Sequence, residues 1–152
     1  MSSPLNIFVG ELEQMIKRSA CPLAVIVGPT ASGKTGASIA LAKGLKERGV
    51  TVEIINADSC QLYRHLDIGT AKISQEEMQG IPHHLIDVLD PKEEATAAWY
   101  KQEAVRTIGE ILEYGNIPML VGGSMLYISA VVDHLEFVAE TDPKLREKLS
   151  RE

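Results

Sequence analysis

Apolar side chains at Leu5, Phe8, Val9, Leu12, Met15 and Ile16 recur at helical spacing near the N-terminus. The spacing predicts an amphipathic helix from Pro4 to Arg18, with Ser3 as its cap and Pro4 in the first turn, where a missing N–H costs nothing. Such a helix must pack its apolar face on the rest of the protein. The run Leu23-Ala24-Val25-Ile26-Val27, bounded by Pro22 and Gly28, lacks polar alternation and predicts a strand buried on both faces. A helix is expected from Gly33 to about Glu47, closed by Gly49. Further strands are predicted at Val50 to Ile55, His84 to Val88 and Ile117 to Val121. Helices are predicted from Ala97 to Tyr114, before Gly115, and from Ser124 to about Leu135. Strands that alternate with helices imply right-handed crossovers and a parallel sheet covered on both faces.

The chain has 152 residues, enough for one domain that buries roughly 68–70% of its unfolded surface. With 45% hydrophobic and 24% charged residues and no apolar run near membrane-spanning length, a transmembrane or wholly disordered protein is excluded. Cys21 and Cys60 form no disulfide framework and lack metal-ligand spacing, so they are expected as buried or half-buried free thiols in a reducing compartment. A cytoplasmic location follows, and the charge order of the first residues does not fit a secretory signal. Net charge is −6, unevenly spread: residues 1–75 hold eight basic and six acidic side chains, residues 76–152 seven and fifteen. That balance argues against a surface gripping nucleic acid through general basicity.

The segment Gly28-Pro29-Thr30-Ala31-Ser32-Gly33-Lys34-Thr35 has two glycines five apart followed by Lys and Thr, the pattern of a phosphate-binding loop. It lies between a predicted strand and a predicted helix, as the chemistry requires. Backbone N–H groups can turn inward on phosphate oxygens, the helix N-terminus adds partial positive charge, and Lys34 neutralises the terminal phosphate. Thr35 is the expected Mg²⁺ ligand. The strand at Ile117 to Val121 ends in Gly122-Gly123-Ser124 rather than in an acid. The best-placed carboxylate is therefore Asp58, just beyond the second strand, where open α/β sheets bind ligands. It suits a general base or a group orienting metal-bound water. These features predict a P-loop NTPase-like three-layer α/β fold with a parallel sheet, incomplete at its C-terminal end.

Four further blocks, Asp58-Ser59-Cys60-Gln61-Leu62-Tyr63, Asp67-Ile68-Gly69-Thr70-Ala71-Lys72, Pro82-His83-His84-Leu85-Ile86-Asp87 and Val121-Gly122-Gly123-Ser124-Met125-Leu126-Tyr127, follow the loop in order. Together the five blocks resemble the motif series of the tRNA dimethylallyltransferases, also called tRNA isopentenyltransferases. The resemblance implies transfer of a dimethylallyl group from dimethylallyl diphosphate to N6 of adenosine 37 in tRNAs that read codons beginning with U. It implies that Asp58 accepts the N6 proton and that Thr35 lies at the diphosphate. It also implies an adenine that leaves the anticodon-loop stack and is read by Asp58, Ser59, Cys60, Gln61 and Ser124. Rival readings are a non-catalytic nucleotide- or diphosphate-binding module, an adenylate isopentenyltransferase and a small-molecule P-loop kinase.

The remaining side chains carry less. His83 and His84 are expected in structural hydrogen bonds rather than on a metal, and Trp99 and Tyr100 in packing. Lys72 and Arg64 are expected either on the diphosphate or RNA or as solvated surface charges. Departures from the family pattern are Ser124 in place of Thr, Ile73 in place of Pro, and residues 1–20 ahead of the usual start. The expected division is an N-terminal helix at 1–20, a diphosphate-binding core at 21–140, and at 141–152, capped by Thr141 or Asp142, the start of a truncated helical insertion. The full-length form is expected to be a monomer whose RNA-gripping surface lies mainly beyond residue 152.

Overall fold

In a computed structural model, which describes residues 4–133 and 135–137, the chain runs α1 (Pro4–Arg18), β1 (Ala24–Val27), α2 (Lys34–Lys46), β2 (Val52–Asn56), α3 (Gln75–Met78), β3 (His83–His84), α4 (Ala97–Glu113), β4 (Ile117–Gly122) and α5 (Met125–Val132). The proposed cap Ser3 and the tail segment 141–152 lie outside the described residues. All strand pairs are parallel, in the order β1-β4-β2-β3. The central pair is β4 and β2, in register from Val52 opposite Ile117 to Asn56 opposite Val121. On one face Val52, Ile54, Met119 and Val121 pack against Ile39, Ala42 and Leu45 of α2. On the other, Ile55 and Leu120 meet Tyr100, Ala104 and Ile111 of α4 and Tyr127, Ile128 and Val131 of α5. The predicted three-layer α/β arrangement is what the chain forms.

Helix α1 is a further layer on the outside of α2. Val9 is buried against Gly44, where a Cβ would lie 2.9 Å from a Val9 methyl carbon. Glycine there brings the two helices closer than any side chain would allow. Arg48 fastens the contact through Glu13 (3.2 Å) and the carbonyl of Asn6 (3.2 Å).

Four differences from the sequence expectation have identifiable causes. Strand β1 is not buried on both faces: it lies at the sheet edge, and Val25 and Val27 are 39% and 49% exposed. The helices on that face lie against β4 and β2. An uninterrupted apolar run shows that a strand can be buried, whereas its neighbours decide whether it is. The third strand is two residues long rather than five, because Leu85 and Asp87 take left-handed backbone angles (φ 58° and 56°) that end the ladder. Helix α5 ends at Val132 rather than near Leu135. Both cysteines are free but exposed rather than buried.

The short α3 escaped prediction although its signal is present. Ser74 and Glu77 form a reciprocal capping box, with Glu77 accepting from the Ser74 N–H at 2.8 Å. Among the described residues no buried side-chain nitrogen or oxygen lacks a partner, and none of their helices is long and apolar enough to cross a membrane.

Leu45, fully buried between α2 and the sheet, is a direct test of this packing. Leu45→Ala is expected to lower unfolding free energy by about 2–5 kcal/mol, read as a shifted urea midpoint with an unchanged slope.

Candidate active site

Three loops meet at the C-terminal edge of the sheet. Strand β1 delivers the loop Gly28–Gly33, β2 delivers Ala57–Gln61, and β4, which lies between them, ends in Gly122 and continues through Gly123-Ser124 into α5. The middle strand ends in two glycines for a steric reason. A Cβ on Gly122 would lie 2.2 Å from the carbonyl carbon and oxygen of Ala57, and one on Gly123 would lie 3.2 Å from the carbonyl oxygen of Gly28. Both outer loops therefore close over the end of β4. Ala57 and Ser124 then seal the seam: the Ala57 N–H donates to the Val121 carbonyl (2.8 Å), and the Ser124 N–H donates to the Ala57 carbonyl (3.1 Å).

The first loop has the shape its sequence predicts. Ala31 and Gly33 both take left-handed angles (φ 62° and 83°), and α2 starts at Lys34 with no side chain capping its N-terminus. Alternation of handedness turns backbone N–H groups to one side, and an uncapped helix start leaves its first N–H groups available to an anion. The Lys34 ammonium crosses the loop and donates to the carbonyl of Pro29 at 2.7 Å.

The second loop is organised by hydrogen bonds around Asp58. Its Oδ1 accepts from the Cys60 N–H at 2.9 Å, an Asx turn that leaves Oδ2 without a partner among the described residues. The Ser59 N–H donates to the Ser124 hydroxyl oxygen at 2.9 Å, tying this loop to the start of α5.

A cavity of about 340 Å³ is lined by Thr30, Ala31, Ser32, Gly33, Lys34 and Thr35 on one side and by Asn56, Asp58 and Gln61 on the other. Thr70, Ala71, Ile73, His83 and Ile86 add to its wall, and Val121 and Gly122 of β4 line it between the two loops. The sequence-predicted residues thus divide into two groups. Thr30 to Thr35, Asp58 and Gln61 face one space. Gly28, Pro29, Ser59, Cys60 and Ser124 are outside that lining; Pro29, Ser59, Cys60 and Ser124 are engaged in the hydrogen bonds that shape the loops.

Thr70, Ala71 and His83 were not among the residues singled out for the site. The signal for them was their place in the Asp67–Lys72 and Pro82–Asp87 blocks.

Lys72 is not the solvated surface charge its spacing allowed, whereas Arg64 is exposed, as a surface charge would be, while also bonding to backbone. The Lys72 side chain is 5% exposed and donates to Asp67 (2.7 Å), Asp87 (2.5 Å) and the carbonyl of Tyr63 (2.7 Å). Desolvation opposes its charge, yet the hydrogen bonds and charges of the two aspartates outweigh that cost and raise its pKa. Arg64 donates to the carbonyls of Asp87 and Val88. Both cations staple the 63–72 loop to the turn after β3, which holds Thr70 and Ala71 at the cavity wall.

The aromatic and histidine readings stand as packing and hydrogen bonding. Tyr100 is fully buried, stacks on Tyr127 with ring centroids 4.1 Å apart and donates to the Asn56 carbonyl at 2.8 Å. Burial pushes both phenols' pKa values up. Trp99 is half-buried against the same cluster. His84 pairs with Glu53 at 2.6 Å, and His83 Nδ1 lies 2.8 Å from the Ile81 carbonyl. No group of three or more His, Cys, Asp or Glu side chains able to hold a metal is found among the described residues.

The parallel order, the glycine-bounded loop and the carboxylate across from it define a P-loop-like α/β protein. Residues 61–152 match the family model described as IPP transferase. The chain belongs to that family. It is 50% identical over 131 residues to a tRNA dimethylallyltransferase of Clavibacter sepedonicus, covering 86% of this chain and 42% of that protein. It is 54% identical over 125 residues to one of Corynebacterium efficiens, covering 82% and 39%.

Among solved structures, the full-length tRNA isopentenylpyrophosphate transferase of Bacillus halodurans superposes with a TM-score of 0.72 at 46% identity, over 86% of this chain and 42% of that one. A eukaryotic dimethylallyltransferase acting on tRNA gives 0.71 at 31% identity, over 84% and 32%. The chain spans about 40% of the length of the curated relatives it matches.

Two outcomes test this geometry. Gly122→Ala forces a Cβ into the Ala57 backbone, where no flexible side chain can yield, and is expected to cost at least about 1–3 kcal/mol of stability in thermal or urea unfolding.

His83 tests the pH dependence. Burial lowers its pKa from the ordinary histidine value of 6.5, the neighbouring His84 adds to this, and the Ile81 carbonyl opposes it. The unfolded chain therefore takes up a proton near pH 6.5 that the folded chain resists, so stability is full above that pH and falls as pH drops through the folded value. Urea midpoints of wild type and His83→Asn at pH 7.5 and 5.5 are expected to show a smaller acid loss in the variant.

Proposed function

We propose that this chain forms the diphosphate-binding and acceptor-reading part of a tRNA dimethylallyltransferase. The observation that carries the reading is that the Thr30–Thr35 loop and the Asp58 carboxylate face one cavity. Relatives named tRNA dimethylallyltransferase, one of them acting on tRNA, support a dimethylallyl group as what is moved and tRNA as the acceptor; in this reading the donor is dimethylallyl diphosphate and the acceptor an anticodon stem-loop. The loop N–H groups and Lys34 hold the diphosphate, and Gln61 lies beside Asp58 on the acceptor side. The N6 amine of adenosine 37 attacks the allylic carbon, the carbon–oxygen bond to diphosphate breaks, and the N6 proton passes to the free Oδ2 of Asp58. Diphosphate leaves with the bonding pair, and its developing charge is what the loop and Lys34 stabilise. A positioned base on so weak a nucleophile contributes roughly 10²–10⁴-fold.

Mg²⁺ fits the donors at hand. Thr35 and Asp58 offer hard oxygen atoms on opposite walls of the cavity, and Mg²⁺ takes one or two protein oxygens beside phosphate and water. Thr35 would hold it. When bound, the ion neutralises charge on the diphosphate.

The acidic balance of the chain, −6 overall, makes general RNA attraction by this span weak. A cytoplasmic, monomeric enzyme is the matching cellular form.

Incubating the full-length gene product with dimethylallyl diphosphate, Mg²⁺ and an anticodon stem-loop is expected to yield N6-dimethylallyladenosine at position 37 on nucleoside analysis. Absence of that nucleoside, or preference for free AMP as acceptor, would sink the reading. Lys34→Ala is expected to weaken inorganic diphosphate binding by calorimetry about tenfold to a hundredfold, the value of a charge-assisted hydrogen bond. Asp58→Asn is expected to keep that binding while losing transfer.

A further inference from the structure

Asn56 is 5% exposed at the end of β2, and its amide is spent on three backbone groups. Oδ1 accepts from the N–H of Asp58 at 3.0 Å, while Nδ2 donates to the Asp58 carbonyl at 3.0 Å and to the Leu85 carbonyl at 2.9 Å. The backbone groups on both sides of the Asp58 Cα are thus clasped by one side chain, which fixes the direction in which its Cβ leaves the chain. The clasp is itself anchored. The Asn56 carbonyl accepts from the buried Tyr100 hydroxyl at 2.8 Å, and Leu85 holds φ 58°, a backbone state that bulky residues rarely adopt.

A carboxyl or a hydroxyl could not replace this amide. The site presents two carbonyl oxygens that need donors and one N–H that needs an acceptor, and of the side chains of this length only asparagine supplies two donor hydrogens together with an acceptor oxygen.

We propose that Asn56 is a positioning residue for Asp58, setting the aim of the carboxylate at the acceptor amine without touching the transferred group. The proposal rests on the base role given to Asp58 above. A misplacement near 1 Å at a reacting group costs on the order of 10²-fold in rate, so the consequence falls on kcat.

A double-mutant cycle in the full-length gene product tests it, using Asn56→Ala, Asp58→Asn and the pair, with Asn56→Ser as a milder variant. Inorganic diphosphate binding serves as the check on folding. Asn56→Ala is expected to lower kcat about tenfold to a hundredfold with KM for dimethylallyl diphosphate unchanged, and to add less than about twofold to the loss in Asp58→Asn, because coupled residues are non-additive. Asn56→Ser is expected to fall between wild type and Asn56→Ala.

Three results would overturn the proposal. Additive losses in the pair assign Asn56 a role independent of Asp58. A changed KM for the RNA with kcat intact assigns it a direct contact with substrate. Lost diphosphate binding in both Asn56 variants assigns it to the fold alone. Wild-type protein that makes no N6-dimethylallyladenosine removes the parent reading, and the proposal with it, and is distinguished from these three by the wild-type measurement itself.

Discussion

The end of the central strand is the constraint on which this site depends. Because β4 runs between β1 and β2, any side chain at its C-terminal end would hold the phosphate-type loop and the Asp58 loop apart. Gly122 and Gly123 remove that wedge: the Ala57 carbonyl occupies the space a Cβ on Gly122 would take, and the Gly28 carbonyl oxygen would lie in tight contact with one on Gly123. In many proteins with this kind of loop an acid ends the neighbouring strand and helps hold metal. Here β4 ends in glycine instead, and the carboxylate that lines the cavity, Asp58, comes from the loop after β2.

Around that seam, charge and burial serve shape. Lys72 carries a nearly enclosed ammonium, but three acceptors hold it, and its work is to pin the 63–72 loop against the turn after β3. Both aspartates remain half or more exposed, so the ammonium is the enclosed member, and losing either carboxylate would still leave it paired with the other. Leu85 and Asp87, both left-handed, lie where this staple and the Asn56 amide converge. Backbone strain of this kind persists only when the surroundings over-determine it.

Membership of the IPP transferase family and the superposition on full-length relatives place this geometry in context. The chain matches about 40% of each of those curated proteins, and it carries a glycine-bounded loop and a carboxylate on one cavity. Exposed Val25 and Val27 on the edge strand and the acidic surface balance are properties of this span.

The alternating pattern of strands and helices, the Gly28–Thr35 loop with its flanking elements, and the candidacy of Asp58 were all legible in the linear chain. Each is a local matter of periodicity, turn chemistry or spacing. The order β1-β4-β2-β3 was not legible, because strand neighbours are chosen by long-range packing. For the same reason an unbroken apolar run could not reveal that β1 is an edge. Lys72 could not be assigned from its spacing, since what decides it is the approach of Asp87, fifteen residues away in the chain. The clasp of Asn56 on Asp58 and Leu85 depends on a turn that ends β3 early. The sequence by itself determined which residues could bind phosphate and move a proton. Only the tertiary structure decided which of them share a space, because that depends on the parallel sheet order and on a middle strand narrow enough at its end to let two loops meet.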